Sequence, residues 1–388
     1  MSKIAEIKTF RVPPRWIFVR VTTDDGIVGW GESIIPKRAG AVVATIEDMA
    51  RNLEGHDVDR IEDIAQRLRR GAFFRGGPLL GTAASGIEQA LWDIKGKRHG
   101  LAVHEFLGGR VRDSIRAYAW IGGDSPAGVV DHARERIAQG FSAVKMNATA
   151  AIPYLGGSAI IDASVERLGA LRDAFGASLD IALDLHGRVP RAAMKPLLRE
   201  VEQFRPMWVE EATLPENEES LTVLARAAGS IPVATGERLA SRWDVKRVLD
   251  TGAVDIIQPD VSITGLFELE KIARLAEIYD VAVAPHCPNG PVSLAASLQV
   301  GFCAPNVAIQ EQSLGLHYHQ GFSGLPKGEM HDYLADAAPL TTIDGAFAPL
   351  AGPGLGIEIV AEAVESRATD WFLPDADWTH ADGTYAEW

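Results

Sequence analysis

Cysteine is nearly absent: Cys287 and Cys303 are the only two in 388 residues. So few thiols exclude a disulfide framework and lead to an expected reducing, cytoplasmic setting. A basic surplus is missing as well. The 38 Lys and Arg face 52 Asp and Glu, for a net charge of −14, and no Lys/Arg-rich run occurs. Such a surface repels nucleic acid and anionic membrane, so neither is expected as a partner. No apolar run approaches the roughly 18 residues of a membrane span, and the opening Met1-Ser2-Lys3-Ile4-Ala5-Glu6 carries no hydrophobic signal segment. Neither G-x-G-x-x-G nor G-x-x-x-x-G-K-[ST] occurs, which removes the two common nucleotide-phosphate turns. What is present is a 47% apolar chain, long enough for a barrel of roughly 200–250 residues and a second module. Its partner is expected to be a small molecule.

Residues 4–34 alternate in the manner of strands, with Asp25-Gly26 between two β-rich runs as a hairpin signal. Helical periodicity follows over 39–68 and again over 82–98, where Ile87, Ala90, Leu91 and Ile94 share one face. Residues 1–112 therefore read as an α+β capping domain. From 113 to 333 the texture changes to β-rich runs alternating with helix-length stretches. The runs are Ala117–Ile121, Ala143–Met146, Ile181–Leu185, Met207–Glu210, Ile231–Ala234, Val254–Ile257, Val281–Ala284 and Val307–Ile309. Eight such runs predict a (β/α)8-type, TIM-like barrel of the α/β class. A doubly wound open sheet is the rival, with fewer strands and a glycine-rich first turn. Residues 334–388 are expected to pack back on the capping domain.

The chemistry gathers where those runs end. Asp184, Glu210, Glu237, Asp260, His286 and Glu311 follow one another at steps of 26, 27, 23, 26 and 25 residues. A near-constant step gives them equivalent places on successive strands, which in a barrel is the C-terminal mouth where active sites lie. One acid after a strand is most often a helix cap or a solvated loop residue. Six consecutive strand tips carrying only Asp, Glu or His are harder to assign to capping. Carboxylates that converge repel one another unless a cation lies between them. Oxygen-only ligation by Asp184, Glu210 and Glu237 suits a hard ion, Mg²⁺ first, whereas zinc would draw more nitrogen or sulfur.

His286, in Ala284-Pro285-His286-Cys287-Pro288, lies one strand beyond Asp260. A carboxylate on one imidazole nitrogen would fix the tautomer and raise the basicity of the other, making a general base. The plain alternative is a buried histidine satisfied by its neighbour. His186 lies two residues past Asp184 and so shares its face; it can reach a substrate there as an acid, or else sits in a loop. Lys145 and Asn147 share a face by the same rule, Lys145 as a carboxylate partner or as a cover for apolar surface. His56, His99 and His132 read as solvated.

These residues, with Phe74-Arg75-Gly76-Gly77-Pro78, Gly29-Trp30-Gly31-Glu32, Asp184-Leu185-His186-Gly187-Arg188-Val189 and the terminal Ala386-Glu387-Trp388, carry a resemblance over nearly the whole chain. The sequence resembles the mandelate racemase branch of the enolase superfamily, most closely its D-galactonate dehydratase group. The resemblance implies a capping domain over a (β/α)7β barrel, with Mg²⁺ on Asp184, Glu210 and Glu237 and a homo-oligomeric assembly. It further implies His286 as base, Asp260 as its partner, His186 as general acid and Glu311 as a hydrogen-bonding stabiliser of the enolate. Lys145, Asn147, Arg15, Trp16 and His317 are then candidates for substrate contact, with the Phe74-Arg75 loop beside them. The implied reaction abstracts the C2 proton of an aldonate, D-galactonate first, and eliminates the C3 hydroxyl to give a 2-keto-3-deoxy sugar acid. Racemisation or cycloisomerisation on the same scaffold is the near alternative, and a sugar-acid-binding barrel without turnover the distant one. Asn147 stands where racemases of this branch place a second lysine base, which favours elimination. Three stretches depart from the family pattern: Glu210-Glu211-Ala212, Ser262-Ile263-Thr264-Gly265, and Ile152-Pro153-Tyr154-Leu155-Gly156-Gly157.

Overall fold

The structure is a computed structural model that describes residues 2–314, 316–321, 324–375 and 378–386, the side chains of His317 and Tyr318 excepted. Its chain first forms an antiparallel meander of β1 (Ile4–Val12), β2 (Trp16–Thr23) and β3 (Val28–Ser33). The Asp25-Gly26 turn works because Gly26 takes φ +85°, which costs glycine little. Three helices follow, Ala39–Ala50, Ile61–Arg70 and Pro78–His99. The single periodic stretch expected over 39–68 is thus broken at 51–60. There Gly55 turns with φ +77° and Val58 donates its N–H to Ser2 O, so the connection is tied to the chain's start rather than wound into helix.

Helix Pro78–His99 is buried on almost every side, wedged between the meander and the second half of the chain. Glycines make the approach possible. A Cβ on Gly31 would lie 1.8 Å from Gly86 O, and one on Gly29 would lie 2.1 Å from Ala90 O. From the same helix, the Thr82 and Ser85 hydroxyls donate to Ser262 O and Val261 O at 2.6 Å each.

The second half is a curled parallel sheet, the C-terminal barrel. Its strands are β4 (Ile115–Ile121), β5 (Ala143–Asn147), β6 (Asp180–Asp184), β7 (Trp208–Glu210), β8 (Val233–Thr235), β9 (Ile256–Ile257), β10 (Ala282–Val283) and β11 (Gln310–Glu311). Each strand pairs with the next, in order from β4 to β10, and β11 pairs with β4. The last strand sits slightly later than the expected Val307–Ile309. The reason is a change of partner: Val307 bridges to Val283 of β10, and Gln310–Glu311 then pairs with β4. Helices lie between successive strands, among them Pro126–Ala138, Ser158–Phe175, Leu266–Ile278 and the wholly buried Pro291–Cys303. A short β12 (Ala346–Phe347) adds antiparallel to β4. Helix Ala361–Arg367 lies on β1, with Arg20 to Glu365 at 2.7 Å and Arg11 to Asp370 at 2.6 Å.

Strand alternation then builds the floor of the mouth. Tyr118, Ala143, Ala182, Trp208, Ala234, Ala284 and Ile309 form one buried apolar cluster. Five of them lie two residues before Lys145, Asp184, Glu210, His286 and Glu311. By the period of two, each functional side chain stands directly above an apolar one. Small alanines on four strands leave room for the Tyr118 and Trp208 rings, whose centroids are 5.5 Å apart. Both cysteines are free and buried, and no helix among the described residues is long and apolar enough to cross a membrane.

The glycine contact gives a test of cap attachment. Replacement Gly31→Ala forces a Cβ into a backbone carbonyl that cannot swing away. It should lower unfolding stability by about 2–3 kcal/mol in chemical denaturation, and an unchanged midpoint would show that helix Pro78–His99 yields.

Candidate active site

Neighbouring strand ends are in register here: Asn147 opposes Asp184, Asp184 opposes Glu210, and Asp260 bridges to His286. Asp184, Glu210 and Glu237 offer carboxylate oxygens that all lie within 4.8 Å of one another. Asp184 is 2% exposed and Glu210 fully buried. Trp208 Nε1 (2.8 Å) and Gln258 Nε2 (2.9 Å) donate to Glu210 Oε2. Lys145 Nζ, itself buried, lies 2.7 Å from Glu210 Oε1, 2.8 Å from Glu311 Oε1 and 3.7 Å from Asp184 Oδ2. Among the trio's carboxylate oxygens one is left over. Glu237 Oε2 is buried with no hydrogen-bond partner among the described residues, its nearest cation being His286 Nε2 at 3.5 Å.

The charges of this cluster pull against each other. Burial pushes Glu210 up to about 8, and the neighbouring carboxylates add to the shift despite Lys145. Burial also raises Glu237, against the pull of His286. Asp184 goes the other way. Burial opposes its charge, but His186 and Lys145 hold it below the usual carboxylate range. Lys145 is held well above its ordinary value, because Glu210 and Glu311 outweigh its burial. Buried oxygens of one sign, one of them without a donor, fit a hard divalent cation; the donor set holds no sulfur or nitrogen that would draw zinc instead.

Two histidines flank the trio. His186 leaves β6 with φ +49°, and its Nε2 lies 2.9 Å from Asp184 Oδ2 while Nδ1 faces Arg188 Nη2 at 3.0 Å. An unfavourable backbone angle on a non-glycine residue at a strand exit is held by its surroundings, and it turns the ring against Asp184. Burial works against its charge, but Asp184 keeps its pKa raised. His286 Nδ1 lies 2.8 Å from Asp260 Oδ2, which leaves Nε2 facing Glu237 and, at 3.9 Å, Glu311 Oε2. Burial opposes its charge, yet Glu237, Glu311 and Asp260 raise it to about 10. A cation on Glu237 would offset the first of those causes.

The structure thus brings together Asp184, Glu210, Glu237, His186, His286, Asp260, Glu311 and Lys145. Asn147 Oδ1 is buried beside Asp184 without a hydrogen-bond partner among the described residues. Arg15 Nη2 donates to Pro288 O at 3.4 Å, against the segment after His286. Trp16 differs from the expectation of substrate contact. Its ring is fully buried, stacked on Phe18 and edge-on to Tyr333 and His319, because β2 turns it into the cap's aromatic core. His317 opens a 3-10 turn, and its side chain lies outside the described residues. The Phe74-Arg75 loop is fully exposed.

Sequence reasoning missed several residues that set this geometry. Glu211 turns away from Glu210 and accepts from Thr235 Oγ1 (2.6 Å), Gly236 N (3.0 Å) and Arg238 Nε (2.7 Å), so it braces the segment carrying Glu237. Strand alternation after Glu210 was the signal that could have found it. Glu32 of the cap accepts from Gly290 N (2.6 Å) and Ser293 N (3.0 Å), at the start of the helix that follows His286. Burial pushes Glu32 up to about 7. Its cross-domain reach leaves no trace in spacing.

Comparison with known proteins gives two family matches. Residues 8–108 match the mandelate racemase / muconate lactonizing enzyme N-terminal domain, and residues 128–364 match the enolase C-terminal domain-like family. D-galactonate dehydratase of Pectobacterium atrosepticum is 46% identical over 390 residues, covering all of both chains. That of Ralstonia pickettii is 45% identical over the same span. Among solved structures, an enolase from Agrobacterium radiobacter with bound Na and L-malate aligns with a TM-score of 0.89 at 29% identity, over 99% of this chain and 100% of that one. An enolase from Pantoea ananatis, solved with D-gluconate and Mg, aligns at 0.81 and 27% identity over 95% of each.

Cation binding should be linked to protons. In the cation-free protein Glu210 is protonated below about pH 8, and a ligand must be a carboxylate, so binding expels that proton. Affinity for MgCl₂ by calorimetry should climb with pH up to about 8 and level off above it, with a buffer-dependent heat of proton release at about pH 7. An affinity flat across that range would show Glu210 already ionised in the cation-free protein.

Proposed function

Because the chain belongs to the enolase superfamily, in its mandelate racemase / muconate lactonizing enzyme branch, we propose that it is a Mg²⁺-dependent sugar-acid dehydratase, a hydro-lyase, with D-galactonate its substrate. The observation that carries this reading is the pairing of a carboxylate trio with a His–Asp dyad on consecutive strand ends, in a chain 46% identical along its full length to a D-galactonate dehydratase. The reading includes closure of the sheet as a (β/α)7β barrel, supported by the Val283–Val307 bridge and the β11–β4 pairing. It also takes residues 1–112 as cap, 113–333 as barrel and 334–388 as a segment returning to the cap, in a cytoplasmic homo-oligomer.

Asp184, Glu210 and Glu237 would hold Mg²⁺, and when bound it supplies Lewis acidity toward a substrate carboxylate, which makes the adjacent C–H proton removable. The remaining work falls to side chains. Asp260 holds the Nδ1 proton of His286, so the Nε2 lone pair is the one that takes the C2 proton. Negative charge then builds on the carboxylate side of the substrate. Lys145, held by its ion pairs to Glu210 and Glu311, supplies fixed positive charge to that side of the site. His186 gives its Nε2 proton to the C3 hydroxyl, which departs as water. The C2–H and C3–O bonds break, a C2–C3 double bond forms, and tautomerisation yields the 2-keto-3-deoxy acid. Racemisation needs a second base on the opposite face. Asn147 offers only an amide there, so elimination is favoured.

Two measurements test this. A panel of aldonates with Mg²⁺, followed by NMR for 2-keto-3-deoxy product, should show D-galactonate turned over; inversion at C2 without loss of water would replace the reading with racemisation. Replacement His286→Asn should abolish C2-proton exchange with solvent, by about 10³-fold or more, while leaving Mg²⁺ affinity nearly intact. Persistent exchange would reassign the base.

A further inference from the structure

We propose that Asn289 is a positioning residue that holds Asp260 in the one rotation that aims its Oδ2 at His286 Nδ1. This rests on the reading of His286 as the base. Asn289 is 3% exposed, and an amide so buried is costly unless its hydrogen bonds are met. Its Nδ2 lies 3.0 Å and 2.9 Å from Asp260 Oδ1 and Oδ2, and 3.2 Å from Ser262 Oγ. The amide cannot be turned over, since its oxygen would then face a carboxylate. One N–H therefore serves Asp260 and the other serves Ser262. The Ser262 hydroxyl and Ser262 N–H each donate to Asp260 Oδ1 at 2.7 Å. His286 Nδ1–H at Oδ2 completes the set.

Asn289 is in turn fixed by its backbone. Ser313 Oγ donates to Asn289 O at 2.6 Å, Cys287 N–H to Glu311 Oε2 at 2.8 Å, and Gly290 N–H to Glu32 Oε1 at 2.6 Å. The loop Cys287–Gly290 is thus anchored on both sides of the side chain, and Asn289 transfers that rigidity to Asp260. Without its Nδ2, the Oδ2 atom would keep His286 as its one donor among the described residues, and the carboxylate plane would be held on the Oδ1 side by Ser262 alone. Ser262 and Asn289 together do for Asp260 what neither the strand nor His286 does alone.

The test uses Asn289→Leu, of similar size without donors, and Asn289→Asp, of the same shape with a like charge facing Asp260. In cation-free protein labelled with ¹⁵N-histidine, the His286 Nδ1–H resonance of the unmodified chain should be sharp and far downfield. It should shift or broaden beyond detection in both variants. With Mg²⁺ and D-galactonate, kcat should fall by about 10- to 100-fold, and further for Asp than for Leu. KM should stay within about threefold. If Asn289→Leu does not fold, as judged by circular dichroism, Asn289→Ala carries the same two readouts. An unmoved resonance, or a moved resonance with unchanged kcat, overturns the proposal. The resonance needs neither cation nor substrate. Absence of turnover in the unmodified chain therefore refutes the dehydratase reading, while the spectrum still decides Asn289.

Discussion

Crowded negative charge is the constraint around which this structure is arranged. Asp184, Glu210, Glu237 and Glu311 reach one buried mouth, where like charges cannot be diluted by water. Lys145 is the fixed counterweight, touching Glu210 and Glu311 at hydrogen-bond distance. Much else follows from keeping this group in place. Gln258 and the Trp208 indole occupy the far oxygen of Glu210, Cys287 N–H occupies Glu311, and the alanine-lined floor prevents the side chains from sinking. Among the described residues one carboxylate oxygen of the trio, Glu237 Oε2, has no donor, and it is the opening a cation would use.

The two histidines differ in how they are held, and that difference suits opposite duties. His186 bonds through Nε2 to a member of the trio, and that contact raises its pKa. His286 bonds to Asp260, which stands outside the trio and is saturated by Ser262 and Asn289. An acid needs a partner that favours its charge. A base needs an aligned partner whose own oxygens are already occupied, so that orientation is gained without the carboxylate taking the proton.

The strand-tip set was legible in the sequence because two periodicities coincide. Successive βα units fix the step of about 25 residues, and the period of two fixes which side chain faces inward, so Asp184 through Glu311 could be read off together. Local strand ends were legible for the same reason, apart from the last, where one segment exchanges partners between β10 and β4. The failures share a physical origin. Glu32 and Asn289 act through contacts whose partner lies elsewhere in the chain, and nothing periodic announces them. Trp16 was a candidate substrate reader through the family resemblance. Its burial is decided by Phe18, Tyr333 and His319, two of them some 300 residues away in sequence.

Cap and barrel are also joined at the starts of barrel helices. Glu32 takes the N–H groups of Gly290 and Ser293, and Glu88 accepts from Phe267 N at 2.9 Å, in the first turn of helix Leu266–Ile278. Two helix starts that would ordinarily be capped by a nearby Ser, Thr, Asp or Asn instead borrow a carboxylate from the other half of the chain. Neither half is therefore self-sufficient in sequence. A recombination event that spliced this barrel to a foreign cap would leave both starts bare unless the newcomer brought glutamates at matching places. Inheritance of the two halves as one unit follows from three backbone N–H groups as much as from any demand of catalysis.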